Sequence, residues 1–311
     1  MGHSHSHDHE VARFDLERPL HRAVAAVVLG CALLTLIAVV ALWPNGEVRT
    51  RAERLGVDDA RYRAEIASAE EQPCSWAGDD NPANCLLVRI HLDEGPDAGT
   101  EIQLGEFSLA DPFLPSFRTG DRIVVGYQDD NDIYYYADRE RRPALFWLFA
   151  LFVACVLALG RWRGLLALAA LALGLAVLVV FMVPSVLEGH SPVVVSLAGA
   201  AVIAFLALYL THGVNLMSSV ALLGIIGALG VTLVLAEIFF ALSDFTGAVD
   251  EEATYLQTIV DNVEVRGLLL GGVIIGALGA LDDVAITQAA TVWELRRANH
   301  ELGPVELWRS A

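Results

Sequence analysis

The chain has 311 residues, 55% of them hydrophobic, and a mean hydropathy of +0.51. Soluble domains seldom have so high a mean hydropathy, and the apolar residues here fall into long runs. The composition therefore indicates an integral membrane protein, and the lipid bilayer is its expected partner. The 38 acidic residues outnumber 20 basic ones, and the net charge of −18 excludes a surface that tracks nucleic-acid phosphates.

The first 19 residues are polar and are predicted to form a disordered tail. Four histidines alternate in this tail with serine and aspartate; they are His3, His5, His7 and His9. Deprotonated imidazoles at this density bind Zn²⁺ or Ni²⁺ weakly, so the tail is a candidate metal site. The alternative is a solvated tail that binds no metal, and no other cofactor is indicated.

Six apolar segments follow the tail, and most approach the ~20 residues that a helix needs to cross ~30 Å of hydrocarbon. They occupy residues 20–43, 144–159, 165–183, 193–210, 216–242 and 267–293. We therefore predict about six transmembrane helices, one at 20–43 and five in a domain of residues 143–293. Residues 294–311 are predicted to form an amphipathic cytoplasmic segment.

The arginines of the short connections predict the orientation. Arg161 and Arg163 fill a tight hairpin between the second and third segments. With six spans, this hairpin lies on the same side as both termini, which the positive-inside rule assigns to the cytoplasm. Three arginines on the opposite side, just before the second span, depart from that rule: Arg139, Arg141 and Arg142.

Residues 44–142 are predicted to form an extracytoplasmic domain rich in β-structure. Five stretches, from RYRAEIASAE to DIYYYADRE, alternate polar and apolar residues and are separated by turn sequences. Five short strands in this length favour a small barrel or sandwich, and we expect an OB-like barrel. Such barrels often bind oligonucleotides, but the 21 acidic residues and 11 arginines of this domain argue against that ligand.

Two of the four cysteines, Cys74 and Cys85, lie in this domain on either side of a turn-rich sequence. An oxidising compartment would permit a disulfide between them. Because spacing alone does not establish proximity, the sequence leaves open whether they pair.

An adjacent pair of acids, Asp282 and Asp283, interrupts the sixth apolar segment. A charge inside a bilayer costs on the order of 3 kcal/mol even on the lenient insertion scale, so such residues usually act in ion or proton movement. On a helix, Asp283 and Thr287 share one face, and two embedded carboxyls are expected to titrate as a coupled pair. The alternative is a helix that ends at Leu281, with Asp282 capping a second, cytosolic helix.

Further polar and small residues complete the predicted membrane site. Glu237 lies late in the fifth segment, before an acidic loop, and we group it with Asp282, Asp283 and Thr287 as a proton or cation relay. Close helix contacts are expected at glycines in the fifth and sixth segments. These glycines are Gly224, Gly227, Gly230, Gly272 and Gly276.

Four strings in the chain resemble the YibE/F-like family of bacterial membrane proteins. They are GDRIVVGY, GRWRG, THGVN and GALDDVAITQAATVWELRRAN. The similarity runs from the first span to the C-terminus, and LDDVAITQAATVWELR is its most specific part. The resemblance implies a multi-pass protein of the bacterial plasma membrane and supplies no catalytic residues.

The same acidic string is similar, more remotely, to the acidic transmembrane helix of resistance-nodulation-division transporters. By that analogy Asp282 and Asp283 are the carboxylates of a proton relay. Those relatives continue into further spans, so we expect this chain to be a fragment or a naturally short version.

The sequence supports two functional hypotheses. The first is a proton- or cation-coupled transporter of a small ion or solute, completed by a second copy or a partner membrane subunit. The second is a non-transporting membrane scaffold whose ectodomain binds a partner protein. An enzyme is not expected, because the chain has no HExxH, G-x-S-x-G or Walker motif, and an aspartyl protease needs its two aspartates on facing helices.

Overall fold

The structure is a computed structural model that describes residues 18–45, 59–77, 83–112, 114–129, 131–243, 264–299, 301 and 303–310. The histidine tail, with His3, His5, His7 and His9, and most of the acidic 243–266 loop lie outside these residues. The chain divides into two compact units, Arg49–Ala154 on the one hand and Met1–Val48 with Cys155–Ala311 on the other.

The first unit, Arg49–Ala154, is called the β-unit here and contains five antiparallel strands, as the alternating sequence predicted. They are β1 (Ala60–Pro73), β2 (Asn84–Leu92), β3 (Glu101–Ser108), β4 (Arg122–Gln128) and β5 (Ile133–Arg139). Their order in the sheet is β3-β2-β1-β4-β5. The sheet curls into a half-barrel, and this brings its two edge strands, β3 and β5, close to each other. In the described residues no ladder of hydrogen bonds joins these two strands.

The concave side of this sheet holds the core of the unit. Apolar residues two apart face inward, which is why Ala64 and Ile66 of β1 and Val88 and Ile90 of β2 are almost fully buried. Polar residues between them face outward. The period-2 pattern of the sequence therefore fixes which side of each strand is covered.

The helical part contains α1 (Pro19–Ala41), α2 (Arg142–Ala176), α3 (Val183–Leu187), α4 (Pro192–His212), α5 (Leu216–Leu242), α6 (Val265–Ala298) and α7 (Pro304–Ser310). A π-helical segment, Val177–Met182, joins α2 to α3. Five helices in the described residues are long and apolar enough to cross a membrane, with α2 and α3 taken together as one element, Arg142–Leu187.

The element Arg142–Leu187 contains a chain reversal, which reconciles five helices with the six predicted spans. Arg161 has a left-handed φ of 47° inside α2. In a straight helix residues 156 and 164 would be about 12 Å apart. Here a Cβ built on Gly164 would lie 2.5 Å from the Val156 carbonyl oxygen, so the chain folds back on itself at the predicted hairpin.

Helices α4, α5 and α6 pack around a shared apolar core. Leu208, Leu222 and Ile274, one from each helix, have almost no exposed surface. The close approach of α4 to α6 uses glycine: a Cβ on Gly267 would lie 3.2 Å from Pro192, and one on Gly271 would lie 2.4 Å from the Ser196 hydroxyl.

The glycines predicted to make close contacts make none with the described residues of this chain. A Cβ added to any of them would meet no heavy atom within 4 Å in the described residues; they are Gly224, Gly227, Gly230, Gly272 and Gly276. Within the described part of the chain, a different pair makes the close contact on α6. The pair Gly267 and Gly271 has the same spacing as Gly272 and Gly276 but lies on the face that α4 covers.

Candidate functional site

Asp282 and Asp283 lie in the middle of an uninterrupted helix. Helix α6 runs from Val265 to Ala298, and its only N-cap is Glu264. The alternative in which a helix ends at Leu281 and Asp282 caps a new one is therefore wrong. Both carboxyls belong to one continuous rod of 34 residues, about 51 Å long.

The packing of α4 on α6 gives the level of the two acids relative to α4. Gly267 is level with Pro192, and the two helices run parallel from there, since Gly271 is level with Ser196. Helix α4 has 21 residues, about 31 Å, which is close to the thickness of a hydrocarbon core. By this register His212, the last residue of α4, is level with residue 287, so Asp282 lies about 7 Å inside the end of α4 that carries His212.

The two carboxyls have different surroundings. Asp282 is half-buried and shares the core-facing side of α6 with Leu278 and Ala285, whereas Asp283 points about 100° away from it and is exposed. One carboxylate oxygen of Asp282, Oδ1, is buried without a hydrogen-bond partner in the described part of the chain. Such orphaned buried oxygens are uncommon in folded proteins and require an explanation.

Two charged or titratable groups act electrostatically on Asp282: the neighbouring Asp283 and His212. No motif in the sequence linked His212 to the acidic pair. His212 and Asp282 are 70 positions apart in the sequence, and their proximity appears only when α4 and α6 pack in parallel. His212 is therefore a member of the site that the sequence did not indicate.

The turn between α4 and α5 holds His212 in place. Gly213 adopts a left-handed φ of 76°, which ends α4. Asn215 is buried, donates its side-chain amide to the His212 carbonyl at 2.8 Å, and accepts from the backbone N–H of Ser218 at 2.9 Å as the N-cap of α5. The THGVN turn, residues 211–215, thus fixes the end of α4 relative to the start of α5, near the acidic pair.

Thr287 does not donate a hydrogen bond to either carboxylate. Its hydroxyl donates to the backbone carbonyl oxygen of Asp283 at 2.7 Å, one helical turn earlier. Thr287 also belongs to an exposed stripe along α6, which consists of glycines followed by an aspartate and this threonine. Its members are Gly272, Gly276, Gly279, Asp283 and Thr287.

Glu237 lies elsewhere. It accepts a hydrogen bond at 2.9 Å from the guanidinium of Arg266, which lies at the N-terminal end of α6. Arg266 and Asp282 are 16 residues apart on one helix, about 24 Å. The structure therefore separates Glu237 from Asp282, Asp283 and Thr287, and gives it a local role in joining α5 to α6.

An apolar groove of about 350 Å³ lies between α5 and α6. Its walls include Val220 and Gly224 of α5 and Ala285 and Val292 of α6, and Gln288 supplies a polar side chain. Ala285 is one turn from Asp282, so the groove begins beside the acidic pair and continues toward the His212 level.

The β-unit contains the pair Cys74 and Cys85. A disulfide joins Cys74 and Cys85, whose Cα atoms are 4.9 Å apart. Neither sulfur belongs to a metal site, and the described residues contain no group of three or more His, Cys, Asp or Glu side chains arranged to hold a metal ion.

Comparison with known proteins gives one match. The family model described as YibE/F-like protein matches residues 148–311, more than half of the chain. The matched region includes α4, α5 and α6 and the acidic pair. No curated protein and no solved structure matches the chain.

Proposed function

Because the chain belongs to the YibE/F-like protein family, we propose that it is a multi-pass membrane protein that moves a small ion or solute in exchange for, or together with, protons or cations. The observation that carries this proposal is the Asp282 carboxyl, which lies on the core-facing side of a membrane-length helix with one oxygen buried and without a partner.

Protonation is the simplest way to relieve such a group. An ionised carboxylate at this depth costs on the order of 3 kcal/mol, and an incoming proton or cation removes that cost. The helix arrangement that best covers a neutral Asp282 therefore differs from the one that best hydrates a charged Asp282. A site whose protonation selects between two arrangements is what coupled transport requires.

The exposure of Asp283 supports a second proposal, that another helix packs against this side of α6. Asp283 is exposed in the single chain on the same stripe as Gly272 and Gly276, whose surfaces no described residue covers. Glycines at this spacing let a further helix approach closely. We propose that a second copy of this chain covers the stripe, with a partner membrane subunit as the alternative.

The proposed orientation places both termini in the cytoplasm of a bacterial plasma membrane and the β-unit outside. An oxidising exterior is consistent with the Cys74–Cys85 disulfide. The strand order and the approach of β3 to β5 favour an OB-like barrel, which we propose serves a structural or protein-contact role.

Proton flux in proteoliposomes tests the proposal. The full chain would be reconstituted with a pH-sensitive dye inside, and a pH gradient imposed across the membrane. We expect Asp282→Asn to reduce protein-dependent flux at least tenfold, while Glu301→Gln, an exposed acid outside the site, leaves it unchanged.

Undiminished flux in the double variant Asp282→Asn, Asp283→Asn would remove the transport proposal. The scaffold hypothesis makes the opposite prediction, since deletion of residues 44–142 would then abolish function while the acidic pair is dispensable. Measuring both variants in the same cells and liposomes distinguishes the two.

A further inference from the structure

A small polar pocket lies in the β-unit, where β5 gives way to α2. It has a volume of about 130 Å³ and is lined by Arg63, Asp93, Arg122, Glu140, Arg142 and Pro143. A space of this size is large enough to hold several waters or a small polar group. The pocket is independent of the membrane site and of the transport proposal.

Glu140 is the buried member of this pocket. Only 6% of its side chain is exposed. Its Oε1 accepts a hydrogen bond from the backbone N–H of Arg142 at 3.0 Å, and the Arg142 guanidinium lies 3.5 Å from the same oxygen. Its Oε2 is buried without a partner in the described residues. A hydrogen-bond donor entering the pocket would satisfy that oxygen.

The other charges in the pocket are unevenly paired. Arg63 is bound to Glu94 just outside the pocket, and this partner raises the pKa of the Arg63 guanidinium. Arg122 has no ion-pair partner among the described residues, and neither does Asp93. The pocket therefore presents an unpaired cation and two carboxylates with free acceptor capacity.

This mixture of charges selects among ligands. A metal ion would be repelled by three arginines, and a bare phosphate would be repelled by Glu140 and Asp93. A molecule that carries both a primary ammonium and an anionic group matches both halves. Its N–H groups would donate to Glu140 Oε2, and its anionic oxygens would accept from Arg122 and Arg142.

The position of the pocket favours a lipid as the source of that molecule. Arg142 and Pro143 are the first residues of the membrane-length element Arg142–Leu187. Residues that begin a span lie at the level of lipid headgroups, where arginine contacts phosphate. The pocket also explains part of the departure from the positive-inside rule, since Arg139 and Arg141 pair with Asp121 and Asp138, and Arg142 faces the pocket.

We propose that this pocket, built by Glu140, Arg122 and Arg142, binds the headgroup of an ethanolamine-type phospholipid. The phosphate lies between Arg122 and Arg142, and the primary ammonium donates to Glu140 and Asp93. Choline headgroups lack N–H donors, and glycerol headgroups lack the cation, so neither satisfies Glu140 Oε2 with a charged donor.

Native mass spectrometry of the full chain in detergent tests this. Phosphatidylethanolamine, phosphatidylcholine and phosphatidylglycerol with identical acyl chains would be titrated, and the retained lipid compared. We expect the ethanolamine lipid to bind at least tenfold more tightly than the other two. Glu140→Gln should abolish this preference, Arg122→Gln should weaken all three lipids, and Arg89→Gln, an exposed arginine outside the pocket, should change nothing.

Two outcomes would overturn the proposal without depending on any variant. One is equal retention of the ethanolamine and choline lipids by the unmodified chain. The other is binding of free O-phosphoethanolamine as tightly as the lipid, which would keep the zwitterion chemistry and reject the bilayer as its source. Persistence of the lipid preference in Glu140→Gln would equally reject Glu140 as the acceptor.

Discussion

A pair of single substitutions on α6 tests the register on which the membrane site depends. Gly271 and Gly272 are adjacent, and neighbouring residues on a helix point about 100° apart. Gly271 faces α4, with the Ser196 hydroxyl 2.4 Å from a built Cβ, whereas a Cβ on Gly272 meets no heavy atom within 4 Å. Alanine at the first position should therefore clash, and alanine at the second should not.

The difference in unfolding free energy between the two variants can be estimated because both gain the same helix propensity. Each Gly→Ala change within a helix gains about 1 kcal/mol from helix propensity. Overpacking at Gly271 costs about 1–3 kcal/mol, so Gly271→Ala should be less stable than Gly272→Ala by about 1–3 kcal/mol. Adding Ser196→Ala removes the nearest atom and should recover much of the loss, because the next contacts lie at 3.3 and 3.4 Å.

Unfolding in a titration of denaturing detergent, followed by far-ultraviolet circular dichroism, gives the free energies. A Gly272→Ala variant less stable than Gly271→Ala would contradict this register. That result would place Gly272 against α4 and rotate α6 by one residue. Asp283 would then occupy the core-facing position that the structure gives to Asp282, and the two aspartates would exchange roles.

Three further outcomes are expected. Cys74→Ser should lower the stability of the full chain by about 3 kcal/mol in urea, as loop closure over 11 residues implies, and the unmodified protein should match it after reduction. The hydrogen bond to Asp132, and then desolvation, raise the pKa of Tyr127 to about 12 from 10.0, so the folded state keeps a proton that the unfolded state loses. The resulting stability is present below pH 10 and is lost as the pH rises toward 12, and Asp132→Asn should bring the ultraviolet ionisation of Tyr127 down toward 10. In a background without the free cysteines, Gly276→Cys should form a disulfide-linked dimer in the membrane and Gly271→Cys should not; the reverse would contradict the proposed contact between copies.

Sequence patterns predicted the elements well where burial imposes a simple period. The five strands of the β-unit follow from alternation between turn residues, and α5 was predicted at its observed bounds, Leu216–Leu242. The apolar segment at residues 267–293, which contains LDDVAITQ, likewise predicted the helix α6. Local patterns sufficed here because neighbours along the chain determine them.

Contacts between distant segments were not predictable in the same way. The proximity of His212 to Asp282 and the pairing of Arg266 with Glu237 depend on how α4, α5 and α6 pack. Glycine spacing of four residues occurs on more than one face of α6, so composition could not select Gly271 over Gly272. The burial of Glu140 had no sequence signal, because an acid beside three arginines is typical of an exposed surface.

The length of α6 has a mechanical consequence. From Asp282 to Ala298 the helix continues for 16 residues, about 24 Å, as a straight arm. If a change of charge at Asp282 tilted this arm by about 10°, its tip would swing about 4 Å sideways, carrying Arg296, Arg297 and α7 with it. A change of charge at a single carboxyl would thus move groups about 24 Å away along the helix.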